Sequence, residues 1–367
     1  MFKYTNARYV TVCLLLLCCT TAFAQISQPI VPISLQQEDL KIRKNIPQKT
    51  LPIIDLQRIQ QEDRIDEAAG LAPRFGYPLD VDFNLKNVGS WTELDNGDRV
   101  WQLTIRAEGA KSINLLYEDF FLPEGAHLHL YNDETGHTIG AFTSLNNKYD
   151  GRFATGLVYG EKTTLEYYEP AAVQGVGRLN ISTVVHGYRY IPGPKGLVEY
   201  EDSGSCNVNT ICTQGDNWRD EIKAIGLMLI DGTRWCSGGL YGNADGDCTA
   251  HYVTANHCLG PYSDALLAPS ATNISFIWRY ESPSCANGGT NNDGPTTLTT
   301  VGATIVANNG NPGQIEGTDF AVMRLIENPV DAKHCSRKMV TSYILMAIPA
   351  LLFQKPFIRL SMTAIIV

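Results

Sequence analysis

Charge is scarce in this sequence, and no basic patch is present: charged residues make up 18% of the 367 positions and the formal charge is -9. A mildly acidic chain without a cation cluster has nothing to neutralise a phosphate backbone, so nucleic acid is excluded as an expected partner. Low-complexity tracts and internal repeats are absent too, and the composition is that of a globular chain long enough for two domains. Cysteine is missing between residues 25 and 205. Apart from Cys13, Cys18 and Cys19, the cysteines (Cys206, Cys212, Cys236, Cys248, Cys258, Cys285 and Cys335) all lie in the second half. Asp, Glu and Gly are all absent from residues 332–367, although Gly is common before them.

The N-terminus carries a targeting pattern. Lys3 and Arg8 precede the apolar run Val10–Phe23, and the small residues Ala22 and Ala24 follow the spacing of a signal-peptidase site. The run is too short for a comfortable membrane span, and "LLCC" lacks the small residue that a lipoprotein signal places before its cysteine. Residues 1–24 therefore read as a cleaved signal peptide, and the mature chain as secreted, either extracellular or periplasmic. In that oxidising setting the later cysteines are first of all disulfide partners, and their odd number leaves at least one over.

Residues 25–70 are polar and Gln-rich, with weak periodicity, and read as a leader or linker. From 71 to 170 the pattern changes. In "VWQLTIRA", Trp101, Leu103, Ile105 and Ala107 alternate with Gln102, Thr104 and Arg106, the period of a strand with one buried face. "DNGD" at 95–98 supplies a turn, and further short strands follow at short intervals, which predicts an antiparallel β-sandwich. His127 and His129, two apart on one such strand, share a face. A metal could use them, but a solvated strand face is the plainer reading. Residues 171–205, with Pro192, Pro194 and several glycines, read as a linker. Residues 206–330 are again β-rich, with "IDGTRW" as a turn, and fit a barrel. The tail, 331–367, reads as foreign to the fold, as a shifted reading frame would make it. A short membrane tail is the alternative, and no stable membrane partner is expected.

The chemistry lies in the second β-rich region. A histidine base in acyl transfer needs a carboxylate on one ring nitrogen so that the other is free to accept a proton. His257, in "TANHC", is a candidate base, and Asp319, opening the apolar strand of "GTDFAVMRL", is a candidate orienting acid. Cys248, His251, His257 and Cys258 are also close enough in sequence to suggest zinc, but the compartment favours disulfides, and no metal or cofactor is expected.

"CSGGL", "YVTANHC" and "GTDFAVMRL", in that order, resemble the first half of a trypsin-like serine protease. "SGSCNVNTICTQGDNWRDEIKAIG" at 203–226 is similar to the mature start of the bacterial lysyl endopeptidase family, and "FFLPEGAHLHLYN" with "LEYYEP" resembles its propeptide. The resemblance implies an all-β protein: a β-sandwich pro-domain (71–170), a linker and processing region (171–205) in which Lys195 is the one basic residue of "PGPKGLVEYEDSGSC", and a chymotrypsin-like β-barrel protease domain (206–330) carried only as its first barrel. It implies His257 and Asp319 as catalytic residues, and disulfides Cys212–Cys285 and Cys236–Cys258. It also implies protein or peptide substrates, possibly lysine- or arginine-directed. The serine should follow Asp319 in a Gly-rich turn. The serines there, Ser336, Ser342 and Ser361, have no Gly neighbour. Ser237 in "CSGG" and the serines of "DSGS" (202–205) lie on the wrong side of the motif. A secreted serine endopeptidase precursor that is inactive as written is the expectation. The alternative is a non-catalytic secreted binding protein that carries a degenerate protease half. Oligomeric state is left open.

Overall fold

The computed structural model describes residues 30–36, 45–191, 208–242, 249–262, 270–281, 285, 298–309, 319–327 and 329. The expected signal peptide, Lys195, Cys206, Cys248, Cys335 and the tail lie outside them.

Among the described residues the leader carries two helices, α1 (Ile33–Gln36) and α2 (Leu56–Ala68). Asp55 caps α2 by accepting from the Arg58 N–H at 3.1 Å. The strands of the first half are β1 (Gln48–Thr50), β2 (Gly76–Asn84), β3 (Ser90–Glu93), β4 (Arg99–Arg106), β5 (Ser112–Phe121), β6 (His127–Asn132), β7 (His137–Phe142), β8 (Phe153–Ala154), β9 (Val158–Tyr159), β10 (Lys162–Glu169) and β11 (Arg178–Gly187). They form two sheets. One runs β1-β4-β10-β6-β7 with β3 on β4; the other runs β2-β11-β5-β8 with β9 on β5. Their facing sides share a core that includes Trp101, Leu103, Ile105, Leu115, Tyr117, Phe120, Leu165 and Ile181. This is the sandwich expected from the alternating pattern.

Three features depart from that reading. The leader is built into the sandwich: β1 pairs in parallel with β4, and α2 packs through Ile59 and Asp63. The strand β11 falls in the stretch that read as linker. Its register shifts between Ile181 and Thr183, which breaks the period of two that would have revealed it. Finally, the outer face of the first sheet is not solvated. His129 and Glu166 are 0% exposed, and His127, Gln102 and Tyr131 are buried. Residues 30–36 lie over this face: the Ile30 carbonyl meets His129 Nε2 at 2.9 Å, Ser34 N–H donates to Glu166 Oε1 at 3.3 Å, and Ser34 Oγ meets Tyr131 OH at 3.2 Å. His127 and His129 are therefore buried side chains beneath the leader, and not an exposed strand face.

The second half contributes β12 (Ile225–Ile230), β13 (Arg234–Tyr241), β14 (His251–Thr254), β15 (Ser270–Trp278), β16 (Thr299–Asn308) and β17 (Ala321–Leu325). They close into a barrel in the order β12-β13-β14-β17-β16-β15. Its interior is filled by residues such as Met228, Tyr252, Ile274, Phe276, Trp278, Ala303 and Met323. The whole is mostly strand, in accord with an all-β protease fold. Among the described residues no helix is long and apolar enough to cross a membrane.

The barrel's β12–β13 hairpin grips the sandwich. Asp231 and Gly232 both hold positive φ, 48° and 60°, the requirement of a tight primed turn. The Thr233 carbonyl accepts from the Phe75 N–H at 2.8 Å and the Gly76 N–H at 3.2 Å, while Trp235 N–H donates to the Pro73 carbonyl at 3.1 Å. Arg234 donates to the Ala72 carbonyl at 2.6 Å and pairs with Asp66. Beside this, Phe75, Leu157, Tyr159 and Ile191 form one core with Leu227, Leu229, Ile277 and Tyr280 of the barrel.

Candidate active site

Antiparallel pairing brings the two candidate residues together. β14 pairs with β17 so that Thr254 faces Ala321 and His251 faces Arg324. The chain just after β14 and the chain just before β17 therefore leave the barrel at the same end. His257 stands three residues after Thr254, in the 3-10 turn Asn256–Tyr262, and Asp319 stands two residues before Ala321. His257 Nδ1 lies 2.5 Å from Asp319 Oδ2, and the His257 backbone N–H donates to Asp319 Oδ1 at 3.1 Å. The carboxylate thus holds both the ring and the backbone of the same residue.

Asp319 is suited to that task. Burial pushes its carboxyl upward, but the His257 ring and the backbone N–H groups of His257 and Asn256 outweigh burial and hold it below the ordinary value. A charged carboxylate on Nδ1 fixes the proton there and leaves Nε2 with its lone pair. The His257 side chain is 31% exposed.

The turn is anchored from below. Thr254 Oγ1 donates to the Ser237 carbonyl at 2.8 Å, and Tyr252 OH donates to the Gly226 carbonyl at 2.7 Å. Cys236, on β13, is bridged to Cys258 with Cα atoms 5.9 Å apart. Cys212 is bridged to Cys285 with Cα atoms 4.8 Å apart, which ties the segment before β12 to the chain beyond β15. "CSGG" owes its glycines to this packing: a Cβ on Gly238 would stand 2.2 Å from the Val253 carbonyl oxygen. Ser237 is buried on β13, where a neighbouring strand and not a substrate faces its backbone.

The zinc alternative is not assembled. His251 sits at the far end of β14 from His257, with Nδ1 at 3.2 Å from the Thr249 carbonyl, and Cys248 lies outside the described residues. Cys236, His257 and Cys258 do converge, with one ligand atom of each within 4.8 Å of the others, but both sulfurs are joined to each other. Nothing in the local pattern signals the clasp around Arg234, since its partners Asp66 and Ala72 lie 168 and 162 residues away in sequence.

Comparison with known proteins bears on the family of the chain. Residues 200–338 match the family model described as lysyl endopeptidase, C-terminal domain. The chain is similar to a lysyl endopeptidase of Pseudomonas aeruginosa, with 26% identity over 270 residues, covering 66% of this chain and 55% of that protein. It therefore spans about half the length of the curated relative. Both comparisons support the lysyl endopeptidase family.

Proposed function

From that family likeness, we propose that the chain is the N-terminal part of a secreted serine endopeptidase precursor that acts on protein or peptide substrates, with lysine as the favoured residue before the cut bond. His257 is the general base and Asp319 its orienting acid. The observation that supports this most directly is the 2.5 Å contact between His257 Nδ1 and Asp319 Oδ2, where the chain leaves β14 and enters β17. The sandwich with its leader is the pro-region, residues 171–205 contain the processing site with Lys195 as the point of cleavage, and residues 1–24 direct export.

In such a reaction the Nε2 lone pair removes the proton from a serine hydroxyl as it attacks the scissile carbonyl, and then returns the proton to the leaving amine. Asp319 stays ionised and stabilises the imidazolium between these two events. The nucleophile and the N–H donors that receive the oxyanion belong, by the same likeness, to a second barrel. In the 367 residues no serine after Asp319 has a glycine neighbour, so this polypeptide supplies the base and its orienter only.

The test is a chimera that joins this chain through Leu325 to the serine-bearing half of the Pseudomonas relative. The expected result is hydrolysis after lysine and labelling by a fluorophosphonate probe. His257→Ala should lower the rate by at least about 10³-fold, and Asp319→Asn by a comparable factor. A folded, active chimera whose rate is indifferent to both substitutions refutes the assignment.

A further inference from the structure

The bridge beside the base holds a second possibility. One ligand atom from each of Cys236, Cys258 and His257 lies within 4.8 Å of the others. His257 Nε2 is 3.7 Å from Cys258 Sγ. A tetrahedral zinc with Zn–N of about 2.05 Å and Zn–S of about 2.3 Å separates its N and S ligands by about 3.5 Å, and two sulfurs by about 3.8 Å. The nitrogen–sulfur spacing is therefore already close to that of a metal site, and only the sulfur–sulfur bond stands in the way. The other ring nitrogen is held by Asp319 at 2.5 Å, the carboxylate–histidine arrangement that orients a zinc-bound imidazole. The strand β13 and the 3-10 turn that carry these residues are fixed by the Thr254–Ser237 bond and by the barrel core.

We propose that, when the Cys236–Cys258 disulfide is reduced, these two thiolates and His257 Nε2 form a three-ligand site for a divalent zinc ion, with a fourth position open to solvent. The reductant is a dithiol or a phosphine. With a phosphine, the sulfur–sulfur bond breaks, two thiols form, and the phosphine leaves as its oxide with oxygen taken from water. Zinc then displaces two protons, one from each thiol, to solvent. His257 enters neutral, through the Nε2 lone pair, with its proton on Nδ1 facing Asp319.

The inference rests on the geometry of these residues and stands or falls independently of the protease reading. Its consequence for that reading is exclusive occupancy. The lone pair that binds zinc is the one that a general base needs, so the reduced, metal-bound chain has no free base, and forming the disulfide releases it. Asp319 acts here as a positioning residue and does not touch the metal.

The experiment is cobalt(II) titration of the full chain, oxidised and after phosphine reduction, with zinc competition and circular dichroism to confirm that the barrel is retained. The reduced protein is expected to bind one Co(II) at this site, with the sulfur-to-metal charge-transfer and visible bands of a tetrahedral thiolate complex, and zinc should displace it. The oxidised protein should lack the component that depends on His257. Comparison with the parent holds the remaining cysteines constant: C236S/C258S and H257A should each lose the component, and C212S/C285S should keep it. D319N should weaken binding by about 10–100-fold while the spectrum remains. Because H257A leaves every cysteine in place, it reports on the site even if the double serine variant fails to fold. Unchanged affinity and spectrum in reduced H257A, no thiolate band in the reduced parent, or loss of the barrel on reduction would each overturn the proposal.

Discussion

The buried histidines of the sandwich make its stability depend on acidity in a direction that can be worked out. His127 is buried, stacks on Tyr168 with ring centroids 4.7 Å apart, and lies 5.1 Å from the His129 ring. Its Nδ1 has no hydrogen-bond partner among the described residues. Burial, with a smaller contribution from His129, lowers its pKa from 6.5 to about 4. The unfolded chain takes up a proton as pH falls below 6.5, whereas the folded chain resists until about 4. The unfolded state therefore binds more protons in that window, and stability is lost as pH falls through it. For one such group the linkage relation gives a loss of about 2 kcal/mol between pH 7 and pH 5. His127→Phe keeps the stacking, sacrifices no bond at Nδ1 and removes the titration. At pH 7 the variant and parent should agree within about 0.5 kcal/mol. At pH 5 the variant should be more stable by about 2 kcal/mol, read as a shift in urea midpoint at unchanged m-value. If parent and variant lose stability in parallel between pH 7 and 5, His127 is not held neutral by the fold, and the reasoning fails.

Four other outcomes are expected. The 367-residue polypeptide should hydrolyse no peptide bond and should not react with a serine-directed fluorophosphonate, since an oxyanion donor alone accounts for about 10²–10³ in rate; stoichiometric labelling that is lost on His257→Ala would show that a nucleophile is present. Peptide mapping without reductant should recover Cys212–Cys285 and Cys236–Cys258, and removing the second bridge by C236S/C258S should cost about 3 kcal/mol; free thiols at these positions in exported protein would contradict it. Arg234→Ala leaves Asp66 without its partner and should destabilise the hairpin contact by about 2 kcal/mol, with faster amide exchange at Phe75 and Gly76; unchanged exchange would show that the clasp carries no energy. A lysine-directed protease should cut first at Lys195; a first cut inside residues 71–170 would count against the proposed processing region.

Much of the site could be read from order alone. "CSGG", "TANHC" and "GTDF" place a bridging cysteine, a base and an acid in succession, and antiparallel pairing of β14 with β17 does the rest by bringing the ends at Thr254 and Ala321 together. The turns were legible for a local reason: Asn-Gly and Asp-Gly accept positive φ, and Gly97 at 84° and Gly232 at 60° adopt it. The buried outer face was not legible. Gln102, Thr104, Glu166, His127 and His129 alternate with apolar residues as a solvated face would, and what meets Glu166 and His129 from above comes from positions 30–36, far away in sequence. Periodicity reports which side chains point together; it does not report what lies above them. The strand β11 escaped for a different reason, because its bulge at Ile181–Thr183 breaks the alternation.

The contact between the sandwich and the barrel has the same origin, and it bears on the candidate site. Neither Phe75 nor Leu227 is unusual for an apolar residue in its own half, yet the two belong to one core. The grip falls on Thr233, Arg234 and Trp235, directly before Cys236. Cys236 is bridged to Cys258, the neighbour of His257. A force on the hairpin is therefore transmitted along β13 to the disulfide and from there to the turn that holds the base against Asp319. At the opposite margin Glu327, two residues past the end of β17, accepts from the Val301 N–H at 2.8 Å and faces Lys148 of the sandwich. Burial lowers Lys148 to about 8, against the attraction of Glu327, and burial raises Glu327. The sandwich thus touches the barrel near Cys236 on one side and just beyond β17, the strand that Asp319 precedes, on the other. Since His257 and Asp319 depend on β14 and β17 keeping register, and β13 pairs with β14, acid that loosens the buried histidines of the sandwich should also loosen the His257–Asp319 pair, although neither residue lies in the sandwich.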